Sequence, residues 1–167
     1  MRSLVTLRRG LDRGLEAALV LILSAMTVAV LWQVASRYVL GNPSSVTEEL
    51  ARFLLIWLGL LGAAYAFGRR AHVALPGLLR WLERRSARPL PGMPARWVPI
   101  LAVALFASSV LVAGGSRLVA LVLDLEQTSA ALGVPLGWVY AALPLAGLVI
   151  LFYCLCDAME AAEDRSR

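Results

Sequence analysis

Four long apolar stretches alternate with short polar ones along this chain, and polar side chains scarcely intrude on them. The stretches cover 17–36, 50–68, 98–116 and 136–156. At about 1.5 Å of rise per residue, each crosses a hydrocarbon core of about 30 Å as an α-helix. None contains an acidic residue, and the only basic one is Arg52, at the edge of the second stretch. Backbone in lipid must satisfy its own hydrogen bonds, so helices are the spanning structure for runs of this kind. The pattern predicts an all-α membrane protein in which residues 1–167 form one domain of four transmembrane helices.

The polar stretches predict how the helices are joined. Asp12 and Glu16 suit the N-terminus of the first helix, and Gln33, Ser36 and Arg37 its end, where a cation is favourable. Gly41-Asn42-Pro43-Ser44-Ser45 reads as a turn. Ser45 and Glu48 then form a capping box for the second helix, and Glu48 and Arg52 stand i, i+4 in the favourable order. Within that helix, Gly59/Ala63 and Gly62/Ala66 are small pairs four apart, which lets helices approach closely in lipid. Leu75, Leu78, Leu79 and Leu82 share one face, with Trp81, Arg80, Arg84 and Arg85 beside it. Residues 75–85 are therefore predicted to form a short interfacial helix lying on the membrane surface. Pro89, Pro91, Gly92 and Pro94 make 88–96 an irregular connector. The third span ends at Arg117, and Pro144 should kink the fourth or mark a helix contact.

Composition sharpens this picture. The chain is 60% hydrophobic with a mean hydropathy of +0.75, outside the range of soluble domains. All 16 basic residues are Arg, and they are distributed unevenly. Four precede the first span, seven lie between the second and third, and two follow the last, against three in or beside the remaining connections. That is a positive-inside bias, which puts both termini and residues 69–97 in the cytoplasm and leaves 37–49 and 117–135 outside. Arginines placed this way serve a membrane surface rather than nucleic acid. The Arg-rich start also suits a signal peptide, but the run is long for one and lacks a small-x-small site followed by a polar mature start.

The candidate chemistry is sparse. Transport or catalysis within a membrane calls for ionisable groups at mid-depth, yet these spans offer only Ser24, Thr27, Gln33, Ser108, Ser109 and tyrosines. His72 is the single histidine, which disfavours haem, and Cys154 and Cys156 read as packing residues. The expectation is no enzyme, no catalytic residue, no metal and no cofactor. Polar residues gather instead around the first external turn: Arg37, Asn42, Ser44, Ser45, Glu48, Glu49 and Arg52. Two readings stand side by side there. One is a solvated, capped helix junction; the other is an Arg37–Glu49 pair across the two helix ends that shapes a surface for a partner.

Gln33-Val34-Ala35-Ser36-Arg37-Tyr38-Val39-Leu40-Gly41-Asn42-Pro43, followed by Glu48-Glu49-Leu50-Ala51-Arg52-Phe53, resembles the small membrane subunit of tripartite ATP-independent periplasmic (TRAP) transporters. So do Trp57, Gly62-Ala63-Ala64 and Arg69-Arg70-Ala71-His72-Val73. The close resemblance covers 33–73; where family members often carry an acidic residue four positions after the His, this chain has Pro76. The resemblance implies a secondary transporter, a symporter, of the bacterial inner membrane. A periplasmic binding protein would deliver an organic acid to a large permease subunit that carries the substrate and sodium sites. The small subunit would be a static scaffold, touching lipid and its partners through residues such as Arg37, Tyr38, Glu48, Glu49, Arg52, Gly62 and His72. Two rivals are weaker. A self-sufficient four-helix multidrug exporter needs an embedded carboxylate, and only Glu16 lies near, at the cytoplasmic edge. A membrane anchor of a redox complex needs more than one His.

Overall fold

The computed structural model describes residues 2–42, 44–69 and 97–165. The interfacial helix expected over 75–85, the connector over 88–96 and His72 lie outside the described residues. Among the described residues the chain is helical, with no strand beyond one isolated bridge between Thr128 and Pro135. Four helical units are long and apolar enough to cross a membrane.

The first, α1, runs unbroken from Arg2–Tyr38, about 55 Å at helical rise. This corrects the expected start near Asp12 and Glu16, both of which sit inside the helix. Nothing in 2–16 breaks a helix except Gly10 and Gly14, and an Arg8 contact described below holds this extension in place. The turn that follows uses Gly41 at φ 64, and the Asn42 N–H reaches the Ser36 carbonyl at 3.2 Å. Helix α2, Ser45–Gly68, is capped by Ser44, whose hydroxyl accepts from Thr47 N–H at 3.4 Å. The cap is therefore one residue earlier than expected, and Glu48 is left free of capping.

The third unit comprises α3 (Trp97–Phe106), a π-helical stretch (Ala107–Gly114) and α4 (Gly115–Asp124). It extends beyond the 98–116 run, so Arg117 lies within the helix and not at its end. The Ser108 and Ser109 hydroxyls both donate to the Leu105 carbonyl, at 3.1 and 2.6 Å, where the ladder loosens. Hydroxyls that bond back to a carbonyl one turn earlier compete with the helix ladder in this way. The fourth unit is divided into α5 (Leu136–Tyr140) and α6 (Ala142–Arg165), with a turn at Ala141. Pro144 has no N–H to offer the Tyr140 carbonyl, so one bond is missing from the ladder, yet the backbone stays helical through Ala141 (φ −58, ψ −20), with Ala141 N–H to Gly137 O at 3.0 Å and Leu145 N–H to Ala141 O at 3.3 Å.

Packing is close where glycine allows it. A Cβ on Gly115 would sit 2.9 Å from Leu143 Cβ and 3.0 Å from Pro144 Cδ. One on Gly147 would lie 2.8 Å from both Leu111 Cβ and Val112 Cγ2. The third and fourth units thus meet through a glycine on each, the close approach that drives association in lipid. The predicted small face of α2 is looser: a Cβ added to Gly62 would meet only Leu19 Cδ2, at 3.9 Å, and one added to Gly59 would meet nothing within 4 Å. Leu15, Leu61 and the fully buried Tyr153 centre a core shared by α1, α2 and α6. Cys154 and Cys156 are free thiols, both buried in the bundle. Elsewhere the spans stay apolar and open. Only 11% of the most hydropathic window of α1 is buried within the chain, a surface suited to lipid or a partner helix.

Candidate functional site

Polar side chains collect at the two ends of the bundle. At the end holding the α1–α2 turn, Glu48 Oε1 accepts from Arg52 Nη2 at 3.1 Å, the i, i+4 pair expected. Both side chains are more than half exposed, so the pair contributes little to stability. Glu49 does something different. Its Oε2 accepts from the Ser129 hydroxyl at 3.0 Å, the Ala131 N–H at 2.8 Å and the Leu132 N–H at 2.9 Å. These donors lie in the loop between α4 and α5. The expected Arg37–Glu49 ion pair does not form: no such pair occurs among the described residues, and Arg37 is exposed at the last turn of α1. The geometric reason is that Glu49 projects toward the second hairpin, where a ready set of donors meets it.

That loop is folded on itself. The Ser129 N–H donates to Val134 O at 2.9 Å, Gly133 N–H to Ser129 O at 3.1 Å and Leu136 N–H to Gln127 O at 2.9 Å. Glu126 at φ 50 and Gly133 at φ 66 take the left-handed positions that let the chain reverse. Tyr38, the last residue of α1, is 79% exposed, and Gly62 is half-buried on the side of α2 that faces Leu19 of α1.

At the opposite end, Arg8 bridges three helices. Its Nη2 donates to the Gly68 carbonyl at 2.7 Å, satisfying an orphan acceptor at the C-terminus of α2. Its Nη1 lies 3.3 Å from Glu160 and 3.6 Å from Asp157 on α6. The guanidinium also stands 5.6 Å from the centroid of the Tyr153 ring, and the Tyr153 hydroxyl donates to Asp12. The extensions of α1 and α6 beyond their apolar runs are thereby fastened to each other. Sequence reasoning missed this cluster, because Arg8 and Asp157 carry no shared local signal.

Between the ends, an open apolar groove runs along α1 past Ala17, Val20, Leu21, Val28 and Trp32 to Leu50 of α2. No cluster of three or more His, Cys, Asp or Glu suited to a metal occurs among the described residues.

The model of the family "Tripartite ATP-independent periplasmic transporters, DctQ component" matches residues 26–164. The chain belongs to this family. As a DctQ component it is also similar to two curated proteins. One, from Haemophilus influenzae, is named as a TRAP transporter small permease protein and is 38% identical over 82 residues, 49% of each chain. The other is the sialic acid TRAP transporter small permease protein SiaQ of Vibrio cholerae, 35% identical over 71 residues, 42% of this chain and 41% of that one. The matched part thus spans about half, or less, of the curated relatives' length. The DctQ match reaches well past the 33–73 segment on which the resemblance was legible, taking in the third and fourth units and the Glu49-binding loop.

Proposed function

We propose that this DctQ-family chain is the small, non-catalytic scaffold subunit of a TRAP-type symporter in a bacterial inner membrane. A large permease subunit supplies the solute pathway and uses a sodium gradient, and a periplasmic binding protein delivers an organic acid or similar solute. The observation that carries this reading is the family match over 26–164. The placement of charge agrees with it. Ionisable side chains sit at the ends of the bundle, while the middle of each span offers hydrocarbon, glycine and scattered hydroxyls. The open groove along α1 is the surface on which a membrane partner or lipid would lie. Both termini are assigned to the cytoplasm from the Arg distribution, so the α1–α2 and α4–α5 loops face outward.

Reconstitution tests the reading. Vesicles holding this chain alone should show no ion-driven uptake from a panel of labelled organic acids. Vesicles holding the chain with its large permease, supplied with binding protein outside, should accumulate one of them. Uptake by the chain alone, or a large permease equally active without it, rejects the scaffold role.

A further inference from the structure

We propose that the groove along α1 binds one phospholipid with a zwitterionic, primary-amine headgroup, a phosphatidylethanolamine, whose phosphate lies on Arg13 and whose ammonium lies on Glu16. The proposal deepens the reading of the groove given above. It needs only the membrane spans, so it stands or falls apart from the scaffold role.

The mouth of the groove carries the first argument. Arg13 and Glu16 line it three residues apart, both exposed, just where α1 enters its apolar run at Ala17. Among the described residues neither makes an ion pair or a hydrogen bond, with the other or with any third group. An Arg that precedes a Glu stands in the less favourable order for pairing along a helix. Arg8 and Asp12, about one turn earlier, are by contrast engaged with α2 and α6. An unpaired cation beside an unpaired anion, at the depth where hydrocarbon begins, matches the phosphate and ammonium of a single headgroup. The guanidinium fork suits phosphate oxygens. The carboxylate suits the N–H donors that a primary ammonium has and the quaternary ammonium of phosphatidylcholine lacks.

The floor carries the second argument. Behind the two charges the lining is hydrocarbon, and the Ser24 hydroxyl is turned back onto the Val20 carbonyl at 2.8 Å. From Arg13 to Trp32 the groove follows α1 for about 28 Å, the depth of a whole hydrocarbon core. Its half nearest Arg13 is therefore as long as the acyl chains of one leaflet. The floor is uneven, since Val20, Leu21 and Val28 are 60%, 70% and 67% exposed between and beside the alanines at 17 and 25. Helices approach one another in lipid through small residues, as Gly115 and Gly147 do within this chain. Protruding branched side chains hold a helix backbone off, whereas an acyl chain moulds to them.

The test places the full chain in phosphatidylcholine nanodiscs with a small share of phosphatidylethanolamine that carries a diazirine midway along one acyl chain. After irradiation, peptide mass spectrometry should find the label concentrated on residues 17–25. Unlabelled phosphatidylethanolamine should displace it about twofold to fivefold better than phosphatidylcholine or phosphatidylglycerol, the scale of ion pairs exposed to water. Glu16→Gln should erase the preference over phosphatidylcholine, and Arg13→Gln should reduce labelling by a similar factor. Ala25→Trp fills the groove and should reduce labelling with both charges intact. The competition order on the wild-type chain decides the proposal even where a variant fails to fold. Label spread evenly around α1, or equal competition by the three lipids, marks ordinary solvating lipid and overturns it. The measurement is repeated on the chain co-purified with its membrane partners, where the label should persist. Its loss there, or cross-links between the 17–25 segments of two copies, gives the groove to a protein helix and also overturns the proposal. Labelling is read without uptake, so the reconstitution described above can fail or succeed independently.

Discussion

Replacing Gly147 with alanine tests how the third and fourth spans are joined. A Cβ at this position of α6 lies 2.8 Å from Leu111 Cβ, 2.8 Å from Val112 Cγ2 and 3.2 Å from the Val112 nitrogen. Carbon pairs rest at about 3.5–4.0 Å, so each carbon must retreat by most of an ångström. A rotamer change can move Val112 Cγ2, but Leu111 Cβ and the Val112 nitrogen move only with the backbone. Overpacking of this kind costs about 1–3 kcal/mol. Against it stands the gain of alanine over glycine inside a helix, about 0.5–1 kcal/mol. The net expectation is a loss of about 1–2 kcal/mol. Gly59 on α2 supplies the control, since nothing lies within 4 Å of its added Cβ and only the favourable effect operates. The purified protein in mild micelles, unfolded by a rising mole fraction of SDS and followed by tryptophan fluorescence, reports both. Gly147→Ala should unfold earlier than wild type, and Gly59→Ala at the same point or later. A Gly147→Ala protein as resistant as Gly59→Ala would refute the close crossing.

Two further outcomes follow from the polar ends. Arg8→Ala removes a charge-assisted bond to the Gly68 carbonyl and the contacts with Asp157 and Glu160 from a side chain only 21% exposed, so it should cost about 1–3 kcal/mol in the same unfolding assay. Arg8→Lys should recover only part of this, having the charge without the fork, and an Arg8→Ala protein as stable as wild type would remove the clamp. Arg37→Ala and Glu49→Ala should have additive effects on stability in the same unfolding assay, whereas Glu49→Ala and Ser129→Ala should couple; the reverse pattern would restore the Arg37–Glu49 pair.

What was legible in the sequence followed from the solvent. Lipid forbids unpaired backbone and mid-depth charge, so the four spans could be placed from apolar runs alone. Their ends were less legible because lipid no longer decides there. Ser44 and Ser45 are equally good caps by composition, and the turn through Gly41 chose between them. Asp12 and Glu16 looked like a helix start, but Arg8 ties the preceding turns to α6 and the helix continues through them. Gly114-Gly115 and the Ser108-Ser109 pair were visible, yet nothing in their spacing announced eight residues of π-helix.

Glu49 shows the same limit most sharply. Local rules offered it Arg37 across the turn, a single point charge near the surface. The loop offered two backbone donors and a hydroxyl at once, in a geometry that exists only after the second hairpin has folded beside the first. A carboxylate with that choice takes the site with more donors, since several charge-assisted bonds to a preformed concavity outweigh one screened, mobile ion pair. Long-range polar contacts of this kind leave no period in the sequence. Yet Glu49, like Arg8 at the far end, fixes which helices are held together, and so decides whether a bundle with so little buried surface along α1 can serve as a rigid support.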